Sequence, residues 1–287
     1  MGYYHICSDG NCASVLFENE ADFRAAMNRV AICAAAYPVV ILAFVLMGNH
    51  FHFVVRCNGE DICRAFISEF KRLTGRYNGL MNLGESSLGG MEVKIIPVTD
   101  IDYLKTLVCY ILKNPTKARL DMFYNYPWGS GDVYFKSRQT YKHLVYQRIQ
   151  DFSNDAVRKM FYTRRTLPSS WIVCDGVILP RNYVAVKEVE ELFKTPLSFM
   201  YFLSMNNDAL IEEDMGDWCS LKMNDIELRQ ARDTMINNFF GQKHILELSA
   251  QERVKLAKML RRKYRCSKKQ LARIVQLPFD TINVSVG

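Results

Sequence analysis

The spacing of apolar residues changes several times along the first part of the chain, and each change predicts a new secondary-structure element. Alternating or continuous apolar runs between turn residues predict strands, whereas apolar residues that recur every three or four positions predict helices. Strands are predicted over residues 3–8, 39–47, 50–56 and 92–97. Helices are predicted over residues 20–37, 60–77 and 101–113, and Asn19 is the predicted N-cap of the first. The predicted order is therefore β-α-β-β-α-β-α.

This order predicts an α+β domain with a mostly antiparallel sheet and helices packed on one face, in the ferredoxin-like manner. We assign this domain to residues 1–134. Residues 135–217 are predicted to form a mixed middle region, and residues 218–287 a helical region that ends in a helix-turn-helix. The middle region is predicted to contain one helix, a hairpin with its turn at Asp175-Gly176, and two further helices. These elements are predicted over residues 141–166, 171–179, 184–193 and 196–205.

Positive charge is concentrated near the end of the chain. Ten Lys and Arg residues but only one acidic residue lie between Gln251 and Arg273. Ser267 is predicted to cap a helix over 268–275, and a turn at Leu277-Pro278 follows, in a pattern that resembles a Trp-repressor-like helix-turn-helix. A helix over 225–238 is predicted to precede it. The candidate DNA contacts here are Arg261, Arg262, Lys263, Lys268, Lys269 and Arg273. The alternative is a basic helical tail that only meets solvent.

The second predicted helix has a similar division between its two faces. Its apolar residues share one face, and its basic residues lie on the other. The basic residues are Arg64, Lys71, Arg72 and Arg76. This basic face is a second candidate DNA contact, and a merely solvated face is again the alternative.

Composition narrows the class of protein. The chain has 287 residues, of which 49% are hydrophobic and 23% are charged, as expected for a soluble globular protein. Its formal charge of +7 suits a polyanionic partner. Nine cysteines without a C-x-x-C pair favour reduced thiols in a cytoplasm, and the first residues lack the pattern of a secretory signal.

One apolar stretch resembles a membrane-spanning segment. Residues 30–47 are apolar or small throughout and are long enough to cross a bilayer. Pro38 divides them, which favours a buried helix end followed by a buried strand. We therefore expect no membrane role.

Two pairs of residues are candidates for catalysis. His50 and His52 are one residue apart on a predicted strand, so both imidazoles lie on one face and can hold one metal ion. Tyr110 and Asn114 are four residues apart and share one face of a helix. If the two faces meet, a metal and a phenol lie beside one phosphate, as phosphodiester cleavage requires. The alternative is two structural histidines, a core tyrosine and an ordinary helix-terminating asparagine.

Several motifs together resemble the IS200-like single-tyrosine transposases, which are HUH enzymes, and above all their REP-associated branch. The resemblance covers residues 3–134. The motifs, in chain order, are Tyr4-His5-Ile6, Phe44 to His52 (FVLMGNHFH), Tyr110-Ile111, Asn114-Pro115 and Tyr126 to Ser130 (YPWGS). Gly48 departs from the family pattern, where proline is usual.

The resemblance implies that His50 and His52 bind a divalent metal, that Asn114 completes the metal site, and that Tyr110 is the nucleophile. In that family the tyrosine cuts single-stranded DNA and leaves a 5′-phosphotyrosine and a 3′-hydroxyl. The mixed nitrogen and oxygen ligands favour Mg²⁺ or Mn²⁺. Single-stranded or hairpin DNA is the expected partner. The sequence is compatible with either a monomer or a homodimer. The expected location is a prokaryotic cytoplasm, at the nucleoid.

Two other functions are compatible with the same residues. A protein of the same descent could hold repeat hairpins without cutting them. An unrelated metal phosphodiesterase could cut DNA with metal-bound water, in which case Tyr110 would be dispensable.

Overall fold

The computed structural model describes residues 1–8, 16–80, 91–136, 146–205, 211, 225–241, 243–263 and 266–285. The described residues form two compact units. The first unit contains the described residues up to 211, and the second contains those from 225 onwards. The described residues do not include the stretch over 84–90, whose Gly and Ser residues are typical of a loop, or the start of the helix predicted over 141–166. They also do not include His143, a lone histidine for which the sequence predicts no catalytic role.

The first unit is built on a four-stranded antiparallel sheet with strand order β2-β3-β1-β4. The strands are β1 (Gly2–Ser8), β2 (Val40–Leu46), β3 (Phe51–Cys57) and β4 (Val93–Val98). The helices are α1 (Glu20–Ala36), α2 (Glu60–Leu80) and α3 (Ile101–Lys117). The predicted order β-α-β-β-α-β-α is confirmed.

The three helices cover both faces of this sheet. Phe53 of β3 packs against Phe66 and Phe70 of α2, with ring centroids 5.5 and 5.8 Å apart. Its neighbour His52 points to the opposite face and contacts Tyr110 of α3. The prediction that all helices pack on one face is therefore wrong for α3. The physical reason is that both faces of β3 are buried, so both faces need cover.

The ends of α1 and α3 follow from their sequences. Asn19 and Asp22 form a capping box at the start of α1, as predicted for Asn19. Helix α3 was predicted to end at Lys113, but it continues through Pro115 to Lys117. Proline has no amide hydrogen, and the Asn114 side chain donates instead to the carbonyls of Tyr110 (3.0 Å) and Ile111 (3.4 Å). The Ile111 carbonyl, which has no amide donor at Pro115, therefore still receives a hydrogen bond.

The outer edge of β2 is covered by residues 128–130. The Leu46 amide donates to the Trp128 carbonyl at 2.8 Å, and the Ser130 amide donates to the Phe44 carbonyl at 3.0 Å. Gly129 lies opposite Val45 in an antiparallel bridge. This short pairing closes an edge that would otherwise expose unpaired backbone groups.

We expect Gly129→Ala to lower the free energy of unfolding by about 1–3 kcal/mol, because overpacking against backbone has costs of that order. A β-carbon at this position would lie 2.8 Å from the Phe44 carbonyl oxygen, which the sheet holds in place. The matched control is Gly48→Ala, whose β-carbon would lie at an ordinary 3.6 Å from the Phe17 carbonyl oxygen. Urea denaturation of both variants checks the prediction. Equal stability of the two variants would contradict it.

The rest of the first unit lies between residues 146 and 205. It contains a small sheet of β5 (Gln147–Arg148), β6 (Ile172–Cys174) and β7 (Val177–Ile178), with helices α4 (Asn154–Phe161), α5 (Val186–Phe193) and α6 (Pro196–Ser204). The predicted hairpin is confirmed, with Asp175 and Gly176 both left-handed (φ 47° and 74°), and so are α5 and α6. One continuous helix over 141–166 is wrong, because Ser153 caps a new helix and the left-handed Tyr162 ends it.

The second unit consists of helices around its own apolar core. They are α7 (Asp225–Phe239), α8 (Ala250–Lys263), α9 (Lys268–Val275) and α10 (Phe279–Ser285). Ser267 accepts a hydrogen bond from the Gln270 amide at 3.0 Å, so the predicted cap and the helix over 268–275 are confirmed. Gln276 is left-handed and ends α9 before α10 begins.

Composition also led to predictions about the cysteines and about a membrane-spanning segment. The described cysteines form no disulfide. None of the described helices combines the length and the apolar run that crossing a bilayer requires. The apolar stretch over 30–47 is divided between α1 and β2, as the position of Pro38 predicts.

Candidate metal and tyrosine site

His50 and His52 lie side by side at the start of β3. Their ring centroids are 5.0 Å apart, and the ring planes are nearly perpendicular, at 83°. His52 is buried, with 2% of its surface exposed, whereas His50 is half-buried. The two-residue period of a strand places both rings on the face that α3 covers.

Helix α3 brings the other two predicted side chains to the same place. The Asn114 Oδ1 atom lies 3.4 Å from His50 Nε2. The edge of the Tyr110 ring meets His52, with centroids 5.8 Å apart and planes at 88°. The structure therefore brings together all four residues that the sequence analysis selected as metal ligands and nucleophile.

The orientation of Asn114 suits a ligand role. Its Nδ2 atom donates to the backbone carbonyl of Tyr110 at 3.0 Å, so its Oδ1 atom is directed away from the helix, toward His50. Two ligands at right angles on an octahedral Mg²⁺ lie about 3 Å apart, since each bond is about 2.1 Å long. The spacing of Asn114 Oδ1 and His50 Nε2 therefore fits two ligands of one small divalent ion.

His5 of β1 orients His52 from behind. His5 Nε2 lies 3.1 Å from His52 Nδ1, and the two rings stack with centroids 5.3 Å apart. Because Nδ1 of His52 faces His5, its Nε2 atom is the nitrogen available to an ion. A hydrogen bond of this kind fixes the ring orientation of a metal-binding histidine.

Burial keeps both of these imidazoles neutral. It lowers the pKa of His5 to about 3, and it lowers the pKa of His52 well below its usual range, helped by the nearby His50, His5 and Lys117. A histidine binds metal through a neutral ring, so His52 needs no deprotonation at pH 7.

A second donor set shares His52. The side chains of His5, Cys7 and His52 are buried, and one donor atom of each lies within 4.8 Å of the others, so this group could also hold a metal ion. The Nδ1 atom of His5 is buried, and none of the described residues forms a hydrogen bond with it. Two imidazoles with a thiolate suit Zn²⁺, whereas the set of His50, His52 and Asn114 suits Mg²⁺ or Mn²⁺.

Lys117 is a further residue of this site and was not among the predicted site residues. Its Nζ atom lies 4.3 Å from the centroid of the Tyr110 ring. The sequence contains a signal for Lys117, because residues 110, 114 and 117 follow the three- and four-residue spacing of one helix face. His5 was named only as part of a motif, and its contact with His52 depends on how β1 and β3 pair.

Comparisons with known proteins gave one weak likeness and two negative results. No protein-family model matches this chain, and no curated protein matches it. A solved structure of a REP-associated tyrosine transposase bound to a REP hairpin resembles it, with a TM-score of 0.35 and 14% sequence identity. The similar region covers 45% of this chain and 75% of that chain.

The structure does not bring the basic residues of α2 to the histidine site, because α2 packs on the opposite face of the sheet. Arg64 pairs with Glu60, and Arg72 pairs with Glu69 at 2.7 Å. The Lys71 ammonium donates to the Met91 carbonyl at 2.6 Å. Arg76 is exposed and lines a cleft between α2 and α4.

The basic residues of the second unit divide into surface and structural groups. Arg261 and Lys269 are half-buried, and Lys268 donates to the Asn283 carbonyl at 3.1 Å. The side chains of Arg262 and Lys263 lie outside the described residues.

Arg273, which was predicted to contact DNA, has a structural role instead. Its side chain is only 3% exposed and forms a two-pronged ion pair with Asp225, at 2.5 and 2.6 Å. It joins α9 to α7 and is not available to a phosphate. The reason is that the last turn of α9 faces α7 in the core, which the spacing of charges along the sequence did not show.

Proposed function

We propose that this chain is a metal-dependent transposase that nicks and rejoins single-stranded DNA through a 5′-phosphotyrosine. One observation carries the proposal: Tyr110 lies against His52 while Asn114 lies 3.4 Å from His50, so a phenol and a set of metal donors share one site. A site with only a structural role would have no use for this combination.

His50, His52 and Asn114 would hold the divalent ion, either Mg²⁺ or Mn²⁺. When bound, the ion supplies charge withdrawal from a non-bridging phosphate oxygen. The Tyr110 oxygen attacks phosphorus and loses its proton, while the bond from phosphorus to the 3′ oxygen breaks and that oxygen gains a proton. Lys117 places a positive charge beside the phenol ring. A 3′-hydroxyl can later attack the phosphotyrosine and rejoin the DNA without a nucleotide cofactor.

The architecture supports the same proposal. An antiparallel sheet with order β2-β3-β1-β4 is the strand order of a ferredoxin-like domain, which we propose for the catalytic part. We also propose that α9 and α10 form a helix-turn-helix that binds hairpin DNA. Lys268, Lys269, Arg261, Arg262 and Lys263 are its candidate contacts. A protein of this kind would act in a prokaryotic cytoplasm, at the nucleoid.

The test is incubation of the purified protein with labelled, hairpin-bearing single-stranded DNA and Mg²⁺ or Mn²⁺. We expect a labelled protein band that survives denaturation, together with a shortened DNA strand. Intact DNA without an adduct would favour a protein that only binds hairpins. Cut DNA without an adduct would favour hydrolysis by metal-bound water.

A further inference from the structure

A basic cleft lies on the face of the first unit that α1 and α2 cover, away from the histidine site. Its volume is about 720 Å³, within the usual range for ligand sites. It is formed by α1, α2, α4 and the loop that follows α4. The lining residues that matter for its chemistry include Arg29, Arg76, Tyr77, Lys159, Tyr162 and Arg164.

The charge of this lining is one-sided. Five of the eleven lining residues are Arg or Lys, and none is Asp or Glu. Within the described part of the chain, no carboxylate lies within 4.0 Å of the charged groups of Arg76, Lys159 or Arg164. Arg158 has one weak pair with Asp155, at 3.4 Å, and both partners are exposed. The cleft therefore presents positive charge that the described residues leave uncompensated.

Arg29 is the innermost of these cations. It is only 4% exposed, and its guanidinium donates to the backbone carbonyls of Ala25 and Leu73 and stacks on the Tyr77 ring at 4.3 Å. Burial lowers its pKa to about 10, so it stays charged at neutral pH. Within the described part of the chain, carbonyls and a ring hold this buried charge. Such an arrangement is costly, and an anion in the cleft would reduce that cost.

Aromatic rings stand beside the cations. Tyr77 and Tyr162 meet edge to face, with centroids 5.8 Å apart. Tyr162 also lines the cleft, and it is 52% exposed, so much of its side chain is accessible to a ligand. Cations beside exposed aromatic rings are the usual features of sites for single-stranded nucleic acid, since phosphates meet the charges and bases stack on the rings.

We propose that this cleft binds a single strand of DNA, with phosphates against Arg29, Arg76 and Arg164 and one base on Tyr162. The cleft is a second DNA contact, on the sheet face opposite Tyr110. Binding of DNA at this cleft rests on the proposed function only for the identity of the polyanion. It does not require cleavage by Tyr110.

The test measures fluorescence anisotropy of a short labelled single-stranded oligonucleotide, in a Tyr110→Phe background so that no adduct forms. The double variant Arg76→Gln with Arg164→Gln should bind about tenfold more weakly. Its salt slope should fall by about 1.4, because each phosphate contact on a single strand contributes about 0.7. Both side chains are exposed, so folding should be kept, and the melting temperature checks this.

The matched control is Lys187→Gln with Lys194→Gln, which removes the same charge from exposed residues outside the cleft. We expect its affinity and salt slope to stay close to those of the parent protein. If the two double variants lost affinity equally, or neither lost any, the cleft would not be a DNA site.

Two further experiments distinguish DNA from a small phosphate compound as the ligand of the cleft. Tyr162→Ala should weaken binding about tenfold at an unchanged salt slope, and should have no effect on an abasic oligonucleotide. Pyrophosphate should compete only weakly with DNA. If pyrophosphate bound tightly through Arg76 and Arg164 while DNA binding ignored both residues, the proposal would be overturned. Adduct formation by the cleft variants with Tyr110 intact is scored separately, so failure of the cleft and failure of the nuclease are distinguishable.

Discussion

Tyr110→Phe is expected to abolish DNA cleavage and the covalent adduct together, while folding, metal binding and DNA affinity are kept. The substitution removes one oxygen, and the ring still packs against His52 from the last turns of α3. Loss of a nucleophile costs on the order of 10⁶ in turnover in an enzyme that forms a covalent intermediate. The measurement is a denaturing gel of labelled DNA, with Mn²⁺ titration and anisotropy on the same preparation.

The matched control is Tyr103→Phe, which changes another tyrosine of α3, seven residues before Tyr110. It should cleave as the wild type does. If Tyr110→Phe still cut DNA without an adduct, the covalent mechanism would be wrong and metal-bound water would be the nucleophile. An adduct that persisted in Tyr110→Phe but vanished when Tyr103 was also changed would move the nucleophile to Tyr103.

The second large effect is expected from His50→Ala with His52→Ala. Residues that only orient metal ligands already cost about 10–100-fold in affinity when they are changed, so removing two ligands should cost at least about 100-fold. Cleavage should disappear with the metal. Isothermal titration with Mn²⁺ and the DNA gel measure the two effects.

His244→Ala is the control for this pair, because His244 is exposed and belongs to the second unit. It should bind Mn²⁺ as the wild type does. Unchanged Mn²⁺ binding by the His50 and His52 double variant would mean that the ion lies elsewhere. Zn²⁺ bound in place of Mn²⁺, and lost on Cys7→Ala, would instead assign the metal to His5, Cys7 and His52.

The local pattern of the sequence was sufficient for most elements of the first unit. Apolar spacing and turn residues predicted β1 to β4 and α1 to α3 in order, since these signals act between near neighbours in the chain. Caps were predicted for the same reason at Asn19 and Ser267, whose side chains bond an amide three residues ahead. The pairs His50 with His52 and Tyr110 with Asn114 were also visible, because each pair belongs to one element.

Contacts between distant parts of the chain were decided only by the tertiary structure. Strand pairing placed His5 against His52, although 47 residues separate them. Helix packing turned Arg273 inward to Asp225, although its neighbours in sequence form a basic run. The cleft around Arg29 likewise depends on α4, which lies far from α1 in the chain. Periodicity shows which face of an element is buried, but it does not show which partner that face meets, because the partner is selected by shape and charge across the whole fold.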